Sequence, residues 1–149
     1  MANISIVALE RTHLPAVKAI EPKAHSHPWS DKLLSDLDSR GAEHHAMLVD
    51  QELVGYFYAQ HIVGEVTLLN IAIAPAWQGR GLGRRLLEAF LARCEALNAE
   101  SAWLEVRQSN LRAFELYQAE GFNEVDRRRN YYPTERGKED AIIMSYLFL

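Results

Sequence analysis

The chain has 149 residues, of which 48% are apolar and 24% are charged, and its formal net charge is −4. These values are typical of one globular domain, and the acidic balance argues against direct nucleic-acid binding. The single cysteine, Cys94, excludes an internal disulfide and a cysteine-based metal site, so we expect a reducing, cytoplasmic location. Residues 1–11 contain no basic leader, and no apolar run approaches the ~20 residues of a membrane helix. We therefore expect neither a signal peptide nor a membrane span.

The first half of the chain predicts one strand, two helices and a β-hairpin. Thr12 can cap a helix whose apolar residues follow at helical spacing, and Ser30 can cap a second, shorter helix. The segment between these helices contains Pro28, which favours a loop. Two runs rich in β-forming residues flank a polar turn and predict the hairpin. The predicted bounds are a strand at 4–9, a loop at 25–29, and hairpin strands at 46–49 and 53–63 around a turn at 50–52.

The second half of the chain predicts strands and helices in an α/β arrangement. The run 65–74 is apolar on both faces, as expected of a strand in the middle of a covered sheet. The next helix carries its apolar residues at helical spacing between 86 and 97, with Cys94 on the apolar face. Asn110 can cap a further helix that ends at Gly121. The remaining predicted strands lie at 102–107, 122–127 and 141–147, with a charged loop between the last two.

A glycine-rich turn, Gln78 to Arg84, joins the buried strand to the long helix. Glycines allow close approach of a ligand to the backbone, and a helix N-terminus attracts anions, so a pyrophosphate would suit this turn. The turn lacks the lysine and hydroxyl residue of a P-loop, and Arg84 stands where a dinucleotide fingerprint has its third glycine. Glu105 lies near the right distance for a ribose-binding acid, so the dinucleotide interpretation stays open. A glycine-rich connection without any ligand also stays open.

Two motifs make the chain resemble the GCN5-related N-acetyltransferase (GNAT) family. The pattern Gln78-x-x-Gly81-x-Gly83 matches that family's coenzyme A pyrophosphate loop. The residues of the second coenzyme-side segment follow at the right distance, namely Asn110, Ala113, Leu116, Tyr117, Gly121 and Phe122. The resemblance implies a single domain, 1–149, with a mixed, mostly antiparallel, twisted sheet of about six or seven strands and about four helices. It implies acetyl-coenzyme A as co-substrate and no metal.

Within this family, other segments are similar to the bacterial enzymes that acetylate the N-terminal alanine of a small-subunit ribosomal protein. These segments are 25–30, 103–107, 128–133 and 139–144. The similarity implies that the acceptor is the α-amine of a ribosomal protein, and we expect the protein to act as a monomer. Two alternatives remain open: a lysine or small-amine acetyltransferase of the same fold, and a non-catalytic coenzyme A-binding sensor. Retention of both Glu105 and Tyr117 argues against the sensor.

The chemistry requires a base for the amine and an acid for the leaving thiolate. Glu105 ends a central strand and is the candidate base, acting from a buried position facing the cleft; the alternative is an exposed carboxylate paired with Arg107. The resemblance makes Tyr117 the general acid, lying on the same side of one helix as Asn110; the alternative is a packing role. The resemblance also implies a set of coenzyme-binding residues: Ile71, Ala72 and Ile73 through their backbone, and Gln78, Gly79, Arg80, Gly81, Leu82, Gly83, Arg84 and Asn110.

Three other features invite functional interpretations that we do not adopt. Cys94 lies on an apolar helix face and is expected in the core, so acetyl should pass directly to the amine in a ternary complex. The six histidines lack the supporting spacing of a zinc site. Arg127, Arg128 and Arg129 are expected to shape the substrate cleft rather than to bind nucleic acid.

Overall fold

A computed structural model describes residues 3–149 and shows one seven-stranded sheet with the strand order β1-β2-β3-β4-β5-β7-β6. Neighbouring strands are antiparallel except for β4 and β5, which are parallel. The strands are β1 Ile4–Ala8, β2 His45–Val49, β3 Glu52–Ile62, β4 Glu65–Ile73, β5 Ser101–Arg107, β6 Asn123–Thr134 and β7 Gly137–Leu147. The helices are α1 Leu14–Ala24, α2 Asp31–Ser35, α3 Leu82–Ala96 and α4 Leu111–Ala119. The predicted fold, a mixed and mostly antiparallel sheet with four helices, is confirmed.

The helices cover both faces of the sheet and create two separate cores. Because successive strand residues point to opposite faces, Phe57 of β3 packs towards α3 while its neighbours Tyr56 and Tyr58 pack towards α1 and α2. Phe57 meets Phe90 of α3 edge to face, with the ring centroids 5.5 Å apart. Cys94 is fully buried in the same core, as its helical spacing predicts. Within residues 3–149 no helix is both long and apolar enough to cross a bilayer.

The parallel pair β4 and β5 separates halfway along its length. Pairing runs from Glu65 opposite Ser101 to Leu68 opposite Leu104 and then ceases, although the strands continue to Ile73 and Arg107. The bend begins at Leu69, an extra residue on β4, since Asn70 pairs with Tyr58 and Leu68 with Ala59. A bulge of this kind bends a strand and increases its twist. The result is a wedge-shaped gap in the middle of the sheet, between the C-terminal ends of β4 and β5.

Two local predictions are wrong. The charged loop predicted between 127 and 141 is part of a long hairpin, because β6 runs to Thr134 and β7 begins at Gly137. Backbone pairing, such as Tyr132 with Glu139, holds these residues in strands although they show no apolar alternation. Thr12 does not cap α1. It lies inside a 3₁₀ turn, Arg11–His13, where the His13 imidazole accepts the Glu10 N–H at 2.9 Å.

The other two predicted helix caps are confirmed. Ser30 Oγ accepts the Leu33 N–H at 3.2 Å, and Asn110 Oδ1 accepts the Ala113 N–H at 3.3 Å. Residues 1 and 2, which fall in the stretch for which we expect no signal peptide, lie outside the described residues. The predicted first strand begins at Ile4 and lies within the described residues.

Candidate active site

Two cavities meet at the gap between β4 and β5. The first, called here the Glu105 cavity, has a volume of about 520 Å³ and lies between the 25–29 loop, the end of β5 and the β6–β7 hairpin. The second, the glycine-turn cavity, has a volume of about 540 Å³ and lies between β4, the 78–84 turn and α4. Both cavities share a set of lining residues: Ala24, His25, Ile71, Asn110 and Tyr117. A molecule in one cavity can therefore touch a molecule in the other.

The gap presents main-chain groups of β4. The Ala74 N–H donates to the Val54 carbonyl of β3 at 2.7 Å, so alternate residues of β4 turn their N–H groups towards β3. The N–H groups of Ile71 and Ile73 consequently point into the gap, where β5 no longer pairs with them. The side-chain amide of Gln78 donates to the Ile73 carbonyl on this side at 2.9 Å. Gln78 thus fixes the start of the turn to the end of the strand.

The turn itself requires glycine at two positions. Gly79 and Gly81 both have φ of +78°, a left-handed conformation that favours glycine. Neither would bring an added Cβ within 4 Å of another protein atom, and both line the glycine-turn cavity. Gly81 is the N-cap residue of α3, so the first N–H groups of this helix and its positive dipole end lie at the cavity. This arrangement suits an anionic ligand such as a pyrophosphate.

The predicted residues of the turn differ in their position relative to the cavity. Gln78, Gly79, Gly81, Gly83 and Arg84 line it, whereas Arg80 and Leu82 do not. Arg80 lies over the Trp77 ring, 4.7 Å from its centroid, and donates to the Ala76 carbonyl. Leu82 is buried in the core.

Two arginines follow the turn on the rim of the glycine-turn cavity. The Arg84 guanidinium is 3.0 Å from the Glu120 carboxylate, so part of its charge is already balanced. Arg112 of α4 also lines this cavity, and sequence reasoning missed it because position 112 is not one of the defining residues of the second coenzyme-side segment. The cavity rim therefore carries positive charge from two separate elements.

Glu105 lies in the first cavity but is not buried as expected. Its side chain is 31% exposed, and its carboxylate is 3.2 Å from Arg128 Nε and 3.5 Å from the Tyr132 hydroxyl. The expected alternative partner, Arg107, instead lies over the Tyr132 ring at 4.2 Å and donates to the Pro133 carbonyl. The extension of β6 explains both differences, because it brings Arg128 and Tyr132 beside the end of β5.

Tyr117 is buried where the two cavities meet. It is 8% exposed on α4, and burial raises its pKa to about 12, so the phenol keeps its proton near neutral pH. Asn110, seven residues earlier, lines the same two cavities while its side chain caps the helix. The pair therefore shares one side of the cleft, as the spacing predicts.

A buried polar network lies behind the 25–29 loop. Glu21 of α1 is 1% exposed and accepts hydrogen bonds from Tyr56 Oη at 2.6 Å, the Trp29 N–H at 2.9 Å and Asn70 Nδ2 at 3.0 Å. Asn70 Oδ1 in turn lies 2.8 Å from His25 Nε2. Sequence reasoning missed this network, although Glu21 follows Val17 by four residues on the apolar stripe of α1 and Asn70 interrupts an apolar strand. Within residues 3–149 no three histidine, cysteine or carboxylate side chains cluster as metal ligands would.

Comparisons with known proteins agree with this fold. The family model described as Acetyltransferase (GNAT) family matches residues 13–122. The chain is 43% identical to the [ribosomal protein bS18]-alanine N-acetyltransferase of Escherichia coli K12 over 141 residues, covering 95% of each chain. It is 44% identical to the protein of the same name from Salmonella typhimurium LT2 over 145 residues, covering 97% of each. The crystal structure of the ribosomal-protein-S18-alanine N-acetyltransferase from Escherichia coli superposes with a TM-score of 0.90 at 42% identity, covering 99% of this chain and 94% of that one. The chain therefore belongs to the GNAT family and is an N-acetyltransferase.

Proposed function

We propose that this N-acetyltransferase moves the acetyl group of acetyl-coenzyme A to the N-terminal α-amine of a ribosomal protein that begins with alanine. The amine attacks the thioester directly in a ternary complex, with Glu105 as general base and Tyr117 as general acid. The observation that supports this most strongly is that the cavity holding Glu105 joins the anion-binding glycine-turn cavity at Tyr117.

The glycine-turn cavity is the proposed site of the coenzyme. The pyrophosphate lies at the N-terminus of α3 beside Gly79 and Gly81, and Arg84 and Arg112 supply nearby positive charge. The pantetheine arm then follows the open edge of β4. Its thioester reaches the junction of the two cavities, where an N–H of Ile71 or Ile73 stabilises the oxyanion of the tetrahedral intermediate.

The acid and base roles follow from the environments of the two side chains. The Glu105 carboxylate lines the cavity proposed for the acceptor and can accept a proton from the amine, directly or through a water. Tyr117 is held protonated by burial and can give its proton to the departing thiolate. Cys94 lines neither cavity and burial raises the pKa of its thiol to about 12, which supports direct transfer without an acetyl-enzyme.

The acceptor assignment rests on the ribosomal-protein enzymes to which the chain is similar, and on the ordinary acidity of the amines. An α-amine has a pKa of about 7.7–8.0 and a lysine amine about 10.4. An exposed carboxylate can therefore deprotonate an α-amine more readily than a lysine amine. A lysine or small-amine acceptor is the alternative function of the same site. A coenzyme sensor is disfavoured, because binding alone does not require Glu105 and Tyr117 beside the junction.

The test is mass spectrometry of peptides incubated with the protein and acetyl-coenzyme A. A peptide that begins Ala-Arg should gain one acetyl group on its α-amine. The matched control is the same peptide with that amine blocked and an internal lysine left free, which should react poorly. Equal reaction of the lysine peptide would refute the α-amine assignment, and no acetylation of any amine would refute the proposed reaction.

A further inference from the structure

The buried carboxylate of Glu21 has no lysine or arginine partner among residues 3–149. Its three hydrogen-bond donors, described above, are all neutral. Within the described part of the chain, its one partner at ion-pair distance is His25, whose Nε2 lies 3.8 Å from Glu21 Oε1. A buried carboxylate without a permanent cation is placed to stabilise a positive charge that forms on the neighbouring imidazole during a reaction.

The network also fixes how the His25 imidazole is presented. Asn70 uses its amide nitrogen to donate to Glu21, which leaves its carbonyl oxygen facing His25 at 2.8 Å. An oxygen can only accept, so His25 Nε2 carries the hydrogen. Nδ1 is then the ring nitrogen whose lone pair is available to a ligand. The side chain is 32% exposed and lines both cavities, whereas Glu105 lines only the first.

The proposed reaction needs two proton acceptors. The amine enters as an ammonium group and loses one proton before its lone pair can attack the thioester carbon. When the C–N bond forms, the nitrogen becomes cationic again, and a second proton leaves before the amide is complete. Tyr117 gives its own proton to the thiolate, so of the two protons that leave the nitrogen one restores Tyr117 and one reaches solvent. A single carboxylate holds one proton at a time. It must therefore release the first proton before it can accept the second within the same turnover.

We propose that His25 is a second proton acceptor of this site and that Asn70 and Glu21 are its positioning residues. The inference rests on the proposed acetyl transfer. Glu105 takes the first proton, in the cavity where the amine arrives. His25 takes the second at the junction, where the new C–N bond lies: an N–H bond of the tetrahedral intermediate breaks and an Nδ1–H bond forms. The resulting imidazolium keeps its Nε2–H bond to Asn70, lies 3.8 Å from the Glu21 carboxylate, and returns its proton to solvent through its exposed edge.

The primary test is chemical rescue of His25→Ala with imidazole, using acetyl-coenzyme A and the Ala-Arg peptide at fixed pH. Turnover should fall by about 10²-fold or more, the usual contribution of a general base, while acetyl-coenzyme A affinity and Tm stay near wild type. Added imidazole should restore part of the turnover in a saturable manner, because it can occupy the vacated space. The control is His61→Ala on β3, which should keep its turnover and show no response to imidazole, since His61 lines neither cavity.

A second measurement separates proton transfer from loop packing. Glu21→Gln should lower kcat in the wild-type background and have little further effect on kcat in the His25→Ala background, because its contribution passes through the imidazole. Nearly normal turnover of His25→Ala would refute the inference. It would also be refuted if imidazole did not restore the lost turnover and the effects of Glu21→Gln and His25→Ala on kcat were additive. Either result leaves the acetyl transfer by the wild-type protein unaffected, so failure of this inference is distinguishable from failure of the proposed function.

Discussion

Replacement of Gly81 by alanine separates the cost of backbone conformation from the loss of ligand binding. Gly81 has φ of +78°, and its added Cβ would meet no protein atom within 4 Å. The substitution therefore creates no clash, and its effect on the free energy of unfolding comes from the left-handed backbone, at about 1–2 kcal/mol. In a chain of this size that corresponds to a fall in Tm of roughly 2–8 °C. The protein should remain folded.

In free energy, the substitution should weaken acetyl-coenzyme A binding by more than it lowers the stability of the fold. The new methyl group occupies open space at Gly81, which lines the cavity where the pyrophosphate is proposed to lie. Loss of one hydrogen bond to a charged group costs about 1.5–3 kcal/mol, so the Kd should rise by about 10- to 150-fold. Isothermal titration calorimetry measures the Kd, and thermal unfolding measures the stability.

The matched control is Gly64→Ala, at the opposite end of the gap-forming strand. Gly64 has φ of +81°, and its added Cβ would make ordinary contacts of 3.5 Å with Glu100. It lines neither cavity, so this variant should lose a similar amount of stability and keep its acetyl-coenzyme A affinity. Equal affinity of the Gly81→Ala and Gly64→Ala proteins would refute the assignment of the turn to the coenzyme.

Three further predictions concern Glu105, Cys94 and His44. In steady-state assays, Glu105→Gln should lower turnover by about 10²–10⁴-fold, with partial recovery at higher pH, where more of the amine is already neutral. The control Glu65→Gln, at the far end of β4, should be near wild type. Nearly normal turnover of Glu105→Gln would show that the base lies elsewhere. Cys94→Ala should lose roughly 0.5–3 kcal/mol in the free energy of unfolding, measured by denaturant titration, and should keep its turnover, measured by initial rates. Loss of turnover in the folded variant would contradict direct transfer. Burial lowers the pKa of the His44 imidazole, so the stability it contributes is present above its unfolded value of about 6.5 and is lost as the pH falls below it. Denaturant titrations between about pH 7 and 5 should show a smaller loss of stability for His44→Gln than for wild type, and an equal loss would contradict this effect of burial.

The sequence predicted the elements that have a clear apolar period. The long helix α3 was identified because its apolar residues recur at helical spacing around Phe90 and Cys94, and these residues are buried. The β6–β7 hairpin was missed in part because its residues near Tyr132 are held by backbone pairing to a partner strand and not by a buried side-chain pattern. The residue type of Thr12 favours a helix cap, but in the structure the hydrogen bond at this turn joins the Glu10 N–H to the His13 imidazole.

The candidate site was predictable where it follows a local motif and not where it depends on distant contacts. The glycine turn and the Asn110 cap are local, and the structure places them at the cleft. The partner of Glu105 is Arg128, and its position depends on the length of β6. The contact between Glu21 and Asn70 joins residues 49 apart, and no spacing rule connects them.

The way the gap forms has a consequence for how substrate preference can change over evolutionary time. The gap arises where backbone pairing between β4 and β5 stops at Leu68 and Leu104, and it offers main-chain N–H groups. Most substitutions alter side chains and leave such groups in place, so the half of the cleft proposed for the donor should tolerate sequence drift. The acceptor half is lined by side chains from the 25–29 loop and the β6–β7 hairpin, which can vary independently of the gap. A chain with this construction can exchange one amine acceptor for another while continuing to use the same acetyl donor.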